Sequence, residues 1–123
     1  MPITHHDLLE WAERQAEQPD EVSRRAAASR AYYAAFLPSE DLSKPIPEPE
    51  DAKGMHDRVI KKLLSSTEQH KVIGKLLSTI KSRRVMADYK IHENWTETQT
   101  KTVIENVKKV LSLLSSLPQR NAP

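Results

Sequence analysis

Glycine is nearly missing from this chain: its 123 residues include only two, Gly54 and Gly74. Phosphate-cradling loops and dinucleotide fingerprints need several glycines at close, fixed spacing, so Walker-type and Rossmann sites are excluded. Hairpin turns of the Asn-Gly or Asp-Gly kind do not occur, and no stretch alternates β-branched and polar residues as a half-buried strand does. Apolar residues recur instead at steps of three and four. The chain reads as all-α.

At 37% hydrophobic, this length supplies one core and not two, so a single domain over residues 1–123 is expected. The absence of cysteine removes disulfides, thiolate nucleophiles and Cys-ligated zinc, which suits a reducing, cytoplasmic setting. Apolar runs are a handful of residues long, and Met1-Pro2-Ile3-Thr4-His5-His6-Asp7 lacks the basic-then-apolar pattern of a signal peptide. Neither a leader nor a membrane partner is expected.

Five helices follow from the spacing. The first is predicted from Thr4 to Gln18, with Leu8, Leu9, Trp11, Ala12 and Ala16 on its apolar side and Pro19 at its end. The second covers about Glu21 to Leu37, where Val22, Ala26, Ser29, Tyr33 and Phe36 form a seam and Pro38 stops the helix. Residues 38–53 hold four prolines together with Glu40, Asp41, Glu48, Glu50 and Asp51, and are expected to be an exposed linker within the domain. The third helix begins near Gly54 and carries Met55, His56, Val59, Ile60, Leu63 and Leu64. The fourth, about Glu68 to Glu93 with Thr67 as N-cap, has the stripe Ile73, Leu77, Ile80, Arg84, Ala87 and Ile91. The last opens on the capping box Thr96-Glu97-Thr98-Gln99 and continues through Val103, Val107, Val110, Leu114 and Leu117 to Pro118, after which a frayed tail is expected. Such a set makes a four- to five-helix up-and-down bundle.

The net charge of +2 conceals an asymmetry. Residues 1–52 carry 5 basic and 11 acidic side chains, a balance of −6, whereas residues 53–90 carry 10 and 3, a balance of +7. A basic middle can meet phosphates, although scattered lysines more commonly form a solvated helix face. The acidic segment before it, opposite in charge, is expected to shield that surface.

Two polar residues interrupt apolar stripes. His56 stands one turn before Ile60, and Arg84 stands one turn after Ile80. Each needs a partner if buried. Asp88 follows Arg84 by four residues and His92 by eight, so the three are predicted to form a polar ridge on one helix face. A helix-stabilising ion pair explains this ridge without any chemistry. A site explains it as well, because a fixed guanidinium stabilises phosphoryl charge and an imidazole can move a proton. Tyr33, on the seam of the second helix, has Arg30 one turn-step before it. The adjacent His5 and His6 lack the preorganised spacing of a metal centre, and no metal or other cofactor is expected.

The octapeptide Ser29-Arg30-Ala31-Tyr32-Tyr33-Ala34-Ala35-Phe36 resembles the second-helix signature of small stand-alone HEPN-domain proteins of prokaryotic toxin–antitoxin and antiviral defence systems. His56 before a Val-Ile pair and Arg84-Val85-Met86-Ala87-Asp88-Tyr89 agree with it, in family order. The resemblance spans roughly residues 5 to 117. It implies a bundle that pairs as a homodimer and cleaves RNA without a metal, leaving a 2′,3′-cyclic phosphate. On this reading Arg84, His92, Tyr89 and Asp88 are the catalytic candidates, with Arg83, Arg30, Tyr33 and His56 on the substrate.

Seven residues lie between Arg84 and His92, outside the family's Arg-x4-6-His spacing. A variant ending in tyrosine, in HEPN toxins paired with nucleotidyltransferase antitoxins, is met by Arg83 and Tyr89. Those two lie about 240° apart around an ideal helix, so they share a face only with distortion or a second protomer. Two readings stand beside the endoribonuclease: a non-catalytic dimerisation or docking module for a nucleotidyltransferase, cognate antitoxin or other effector, and RNA binding through the basic middle without cleavage.

Overall fold

The computed structural model describes residues 2–118, in which five helices and no strand are found. They are α1 (His5–Ala16), α2 (Glu21–Ser43), α3 (Met55–Leu64), α4 (Glu68–Tyr89) and α5 (Glu97–Ser116). The expected tail after Pro118 lies outside the described residues.

Four of the starts are fixed by local side chains that satisfy otherwise orphaned backbone N–H groups. At α1 the Asp7 carboxylate accepts from the Thr4 N–H at 2.8 Å while the Thr4 hydroxyl accepts from the Asp7 N–H at 3.3 Å, a capping box. The Asp20 carboxylate accepts from the Ser23 N–H at 3.0 Å and opens α2. Thr67 caps α4 through the His70 N–H at 3.1 Å. Thr96 and Gln99 form the expected box at α5. The start of α3 has no side-chain cap; Gly54 turns the chain there at φ 90°, ψ 178°, a region open in practice to glycine alone.

α2 occupies the centre and packs against every other helix. Arg25, near its start, reaches carbonyls at the end of α4, so these two helices run antiparallel. Thr100, near the start of α5, bonds the Arg24 carbonyl, so α5 runs parallel to α2. His5 and His6 share a surface cleft with Leu111 and Leu114, which sets α1 antiparallel to α5. α1, α2, α4 and α5 therefore alternate in direction, and the short α3 lies mainly on α4. Ala27, Ala28, Ala31, Ala34 and Ala35 are all fully buried on α2 and let its neighbours approach closely. Leu63, Ile73, Leu77, Ile80, Val103, Val107 and Val110 fill the space between helices.

Three expectations are corrected. Pro38 does not stop α2, which continues to Ser43. A proline inside a helix costs about 3 kcal/mol through its missing N–H and its clash with the preceding turn. Burial after it offsets that cost. Ser39 and Ser43 are buried with their hydroxyls on the Ala35 and Glu40 carbonyls, each at 2.7 Å, and Leu42 packs on the core.

The expected linker is thereby shortened to residues 44–53, and it is tied down. Glu48 pairs with Arg58 at 3.1 Å and with the buried Lys62 at 3.2 Å, and Asp51 pairs with Lys61 at 3.3 Å.

The end of α4 comes at Tyr89 and not near Glu93. The physical reason is Arg25, which no local pattern announces. Its Nη1 donates to the carbonyls of Ala87 at 2.9 Å and of Met86 and Lys90 at 3.3 Å, and its Nη2 donates to the Glu93 carbonyl. Its Nε donates to Glu21 at 3.0 Å. The guanidinium thus takes over the carbonyls a further turn would have used, and a cation there also complements the helix dipole. Trp95 docks beside it, fully buried, with its indole N–H on the Thr100 hydroxyl at 2.7 Å. As a consequence Ile91, predicted in the stripe, is 65% exposed. Val22, predicted in the seam of α2, is exposed too.

Candidate site between the second, third and fourth helices

Where α2 and α4 run side by side, Ser29, Tyr32, Tyr33 and Phe36 on the first meet Arg84 and Asp88 on the second, and the first turn of α3 adds His56. Arg84 interrupts the apolar stripe of its helix as expected, and its side chain is 12% exposed. Nη1 donates to the Asp88 carboxylate at 2.9 Å, and the Ser29 hydroxyl donates to the same oxygen at 3.2 Å. The guanidinium carbon lies 5.3 Å from the Tyr32 ring centroid and 5.8 Å from that of Tyr33, within cation–π range of both. The Arg84 Nε is buried and has no hydrogen-bond partner among the described residues. Nη2 makes no hydrogen bond to a described residue and is not closed off as Nε is, so Nη2 is the donor that an anionic oxygen can reach.

His56 faces the same two tyrosines from the first turn of α3. Its ring lies 5.5 Å from Tyr32 and 5.9 Å from Tyr33 between centroids, and only 4.3 Å from Phe36. Nδ1 lies 2.7 Å from the Tyr32 hydroxyl. Burial lowers the His56 pKa below its ordinary value, the Arg84 and Lys81 cations lower it further, and Glu40 opposes them. Tyr32 is fully buried, and burial raises its phenol well above the usual range against the pull of Arg84. At neutral pH both groups are therefore uncharged.

The fold brings together four of the eight residues proposed from sequence: Arg84, Asp88, His56 and the half-buried Tyr33. It does not bring the others. His92 lies beyond the end of α4, exposed and without a hydrogen bond to any described residue, so the ridge from Arg84 stops at Asp88. Tyr89 is 71% exposed. Arg83 points outward, where its Nη1 lies 3.9 Å from the Met86 sulfur, and Arg30 is exposed as well. Sequence reasoning put Tyr33 on the core seam, where the structure puts Tyr32. The pairing of Tyr32 with Phe36 at four residues was the available signal, since their rings stack 5.6 Å apart.

A cavity of about 700 Å³ lies elsewhere, lined by Pro38, Leu42, Ile46, His70, Leu114 and Leu117. It holds no comparable cluster: His70 is bonded through Nδ1 to the Ser66 hydroxyl, 2.7 Å away on the preceding turn. No group of three or more histidines and carboxylates among the described residues is arranged to hold a metal ion. No described helix is long and apolar enough to cross a membrane. Comparison with family models, with curated proteins and with solved structures returned no match.

Proposed function

We propose that this chain is a HEPN-type helical bundle of a prokaryotic toxin–antitoxin or defence module, acting on RNA as a metal-independent endoribonuclease in the cytoplasm, and working as a homodimer. The observation that carries the reading is the meeting of Arg84 and His56, from different helices, across one pair of tyrosines. Arg84 is the group that grips the scissile phosphodiester, held in place by Asp88 and Ser29. His56, not His92, is the imidazole at that point, because the fold carries His92 past the end of α4. The octapeptide of α2 and the all-helical architecture support the family assignment.

The test is incubation of the purified protein with a mixed RNA pool in EDTA, beside Arg84→Ala, His56→Ala and His92→Ala variants whose folding is checked by circular dichroism. Wild type and His92→Ala are expected to cleave, with Arg84→Ala slower by a factor on the order of 100 to 1000, the usual loss when a preorganised oxyanion donor is removed.

A second reading, a non-catalytic docking module for an effector or antitoxin protein, is favoured by the engagement of Arg84 with Asp88 at only 12% exposure. Under it Arg84→Ala leaves the half-buried Asp88 carboxylate with the Ser29 hydroxyl alone and destabilises the fold by about 1.5–3 kcal/mol, the range for a hydrogen bond to a charged group. Absence of cleavage at high protein concentration, together with that loss, would decide for the docking module.

A further inference from the structure

The hydroxyl of Tyr32 has one hydrogen to place and, among the described residues, one acceptor to place it on: Nδ1 of His56 at 2.7 Å. Tyr32 is fully buried, so no bulk water competes, and a buried hydroxyl left without an acceptor is costly. The phenol therefore donates and Nδ1 of the neutral ring accepts. The ring proton is then on Nε2. When the ring takes up a second proton it arrives on Nδ1, and the Tyr32 oxygen becomes the acceptor. Nε2 carries hydrogen in both states.

Nε2 itself makes no hydrogen bond to a described residue and is not among the buried unpartnered atoms, so it opens to solvent. The charged and titratable groups around the ring are Lys81 and the Asp88-paired Arg84 on α4 and Glu40, Tyr32 and Tyr33 on α2. Arg84 and Lys81 act on the ring more strongly than Glu40, which leaves the surroundings of Nε2 electropositive. A lone pair on Nε2 would serve as a base; a hydrogen there serves an anion. We propose that Tyr32 is a positioning residue that fixes His56 as a permanent Nε2–H donor, which together with Arg84 binds a non-bridging oxygen of an RNA phosphodiester. This rests on the RNA reading above and deepens it: His56 binds charge and does not abstract the proton from the attacking hydroxyl.

The test is the ring ¹⁵N–¹H correlation spectrum of the full chain, with the His56 signals identified by their loss in His56→Gln. The free protein is expected to show Nδ1 unprotonated and Nε2 protonated. Adding a short 2′-O-methyl RNA, which cannot cleave itself, is expected to shift the Nε2–H pair. A ring protonated on Nδ1, or averaging between the two forms, overturns the proposal whatever RNA does and leaves the ribonuclease reading intact. Binding of the RNA without any shift at Nε2 also overturns it. No binding at any concentration removes the RNA reading and the donor role with it. Tyr32→Phe, provided it keeps the helical circular dichroism, is expected to turn the spectrum into an average of two tautomers. Loss of the ring's charge makes RNA affinity fall as pH rises through the titration of His56 in wild type, and Tyr32→Phe, which also frees Nε2 to lose its hydrogen, should make that fall steeper. A tautomer unchanged in Tyr32→Phe would remove Tyr32 from this role.

Discussion

His56 is kept uncharged by burial and by Arg84 and Lys81, and the same sign of shift recurs at His5, through burial and His6, and at His70, through burial. A histidine whose folded pKa lies below its ordinary value of 6.5 binds fewer protons folded than unfolded in the interval between the two. Its stabilisation is complete above 6.5 and is lost as pH falls through that value to the folded one. Asp20, Glu21, Asp57 and Glu97, held low chiefly by hydrogen bonds from Ser23, Arg25, Lys53 and Lys101, add a second loss in more acidic solution. Urea midpoints measured against pH should therefore be level in mild alkali and fall in two stages on acidification. His56→Gln should shrink the first stage, and an unaltered first stage would exclude His56 from it. At Gly54 a methyl group would meet nothing within 4 Å, so Gly54→Ala tests backbone strain alone, with an expected loss of about 1–3 kcal/mol in chemical denaturation. Equal stability would show that the turn relaxes. Arg84, Asp88 and His56 were legible in the sequence because two of them break an apolar stripe and the third lies one turn away. Tyr32 was not, because alanines bury nearly every side of α2 and the spacing no longer singles out one face.

Helix starts were readable for the reason that caps are local: Thr67 and Thr96 meet partners three residues on. α3 and α5 also stop where the sequence places their ends, at Leu64 and Ser116, but the ends of α2 and α4 were not readable, since they are decided by residues far away in the chain. Arg25 is separated from the Ala87 carbonyl it holds by 62 positions. Removing it in Arg25→Met should cost about 1.5–3 kcal/mol, the range for a hydrogen bond to a charged group, and should raise amide exchange first in the last turn of α4. Uniform protection there would show the clamp to be incidental. α3 and α4 are also set close at Gly74, where an added Cβ would lie 3.1 Å from Leu63 and Leu64 side-chain atoms. The continuation past Pro38 was hidden in a similar way, because the sequence displays the proline but not the core that Ser39, Leu42 and Ser43 reach.

Across the whole molecule the charge imbalance read from the sequence is realised as contact. The segment 44–53 lays Glu48 and Asp51 on Arg58, Lys61 and Lys62 of α3, so three cations of the basic middle are already paired. Deleting residues from Glu40 onward would cut into α2, so the cleaner test is the double variant Glu48→Gln, Asp51→Asn. It is expected to bind RNA more tightly at low salt and with a steeper salt dependence, as freed cations release counterions from the strand. Affinity and slope equal to wild type would mean that this segment shields nothing. The two tryptophans differ in a way that makes such experiments easy to follow. Trp95 is 1% exposed behind the Glu21–Arg25 latch, whereas Trp11 is 37% exposed on α1. Emission from the second starts from a wetter setting and shifts less on unfolding, so a red shift in intrinsic fluorescence reports chiefly on the first, and the chain carries an optical gauge of whether the turn between α4 and α5 is shut.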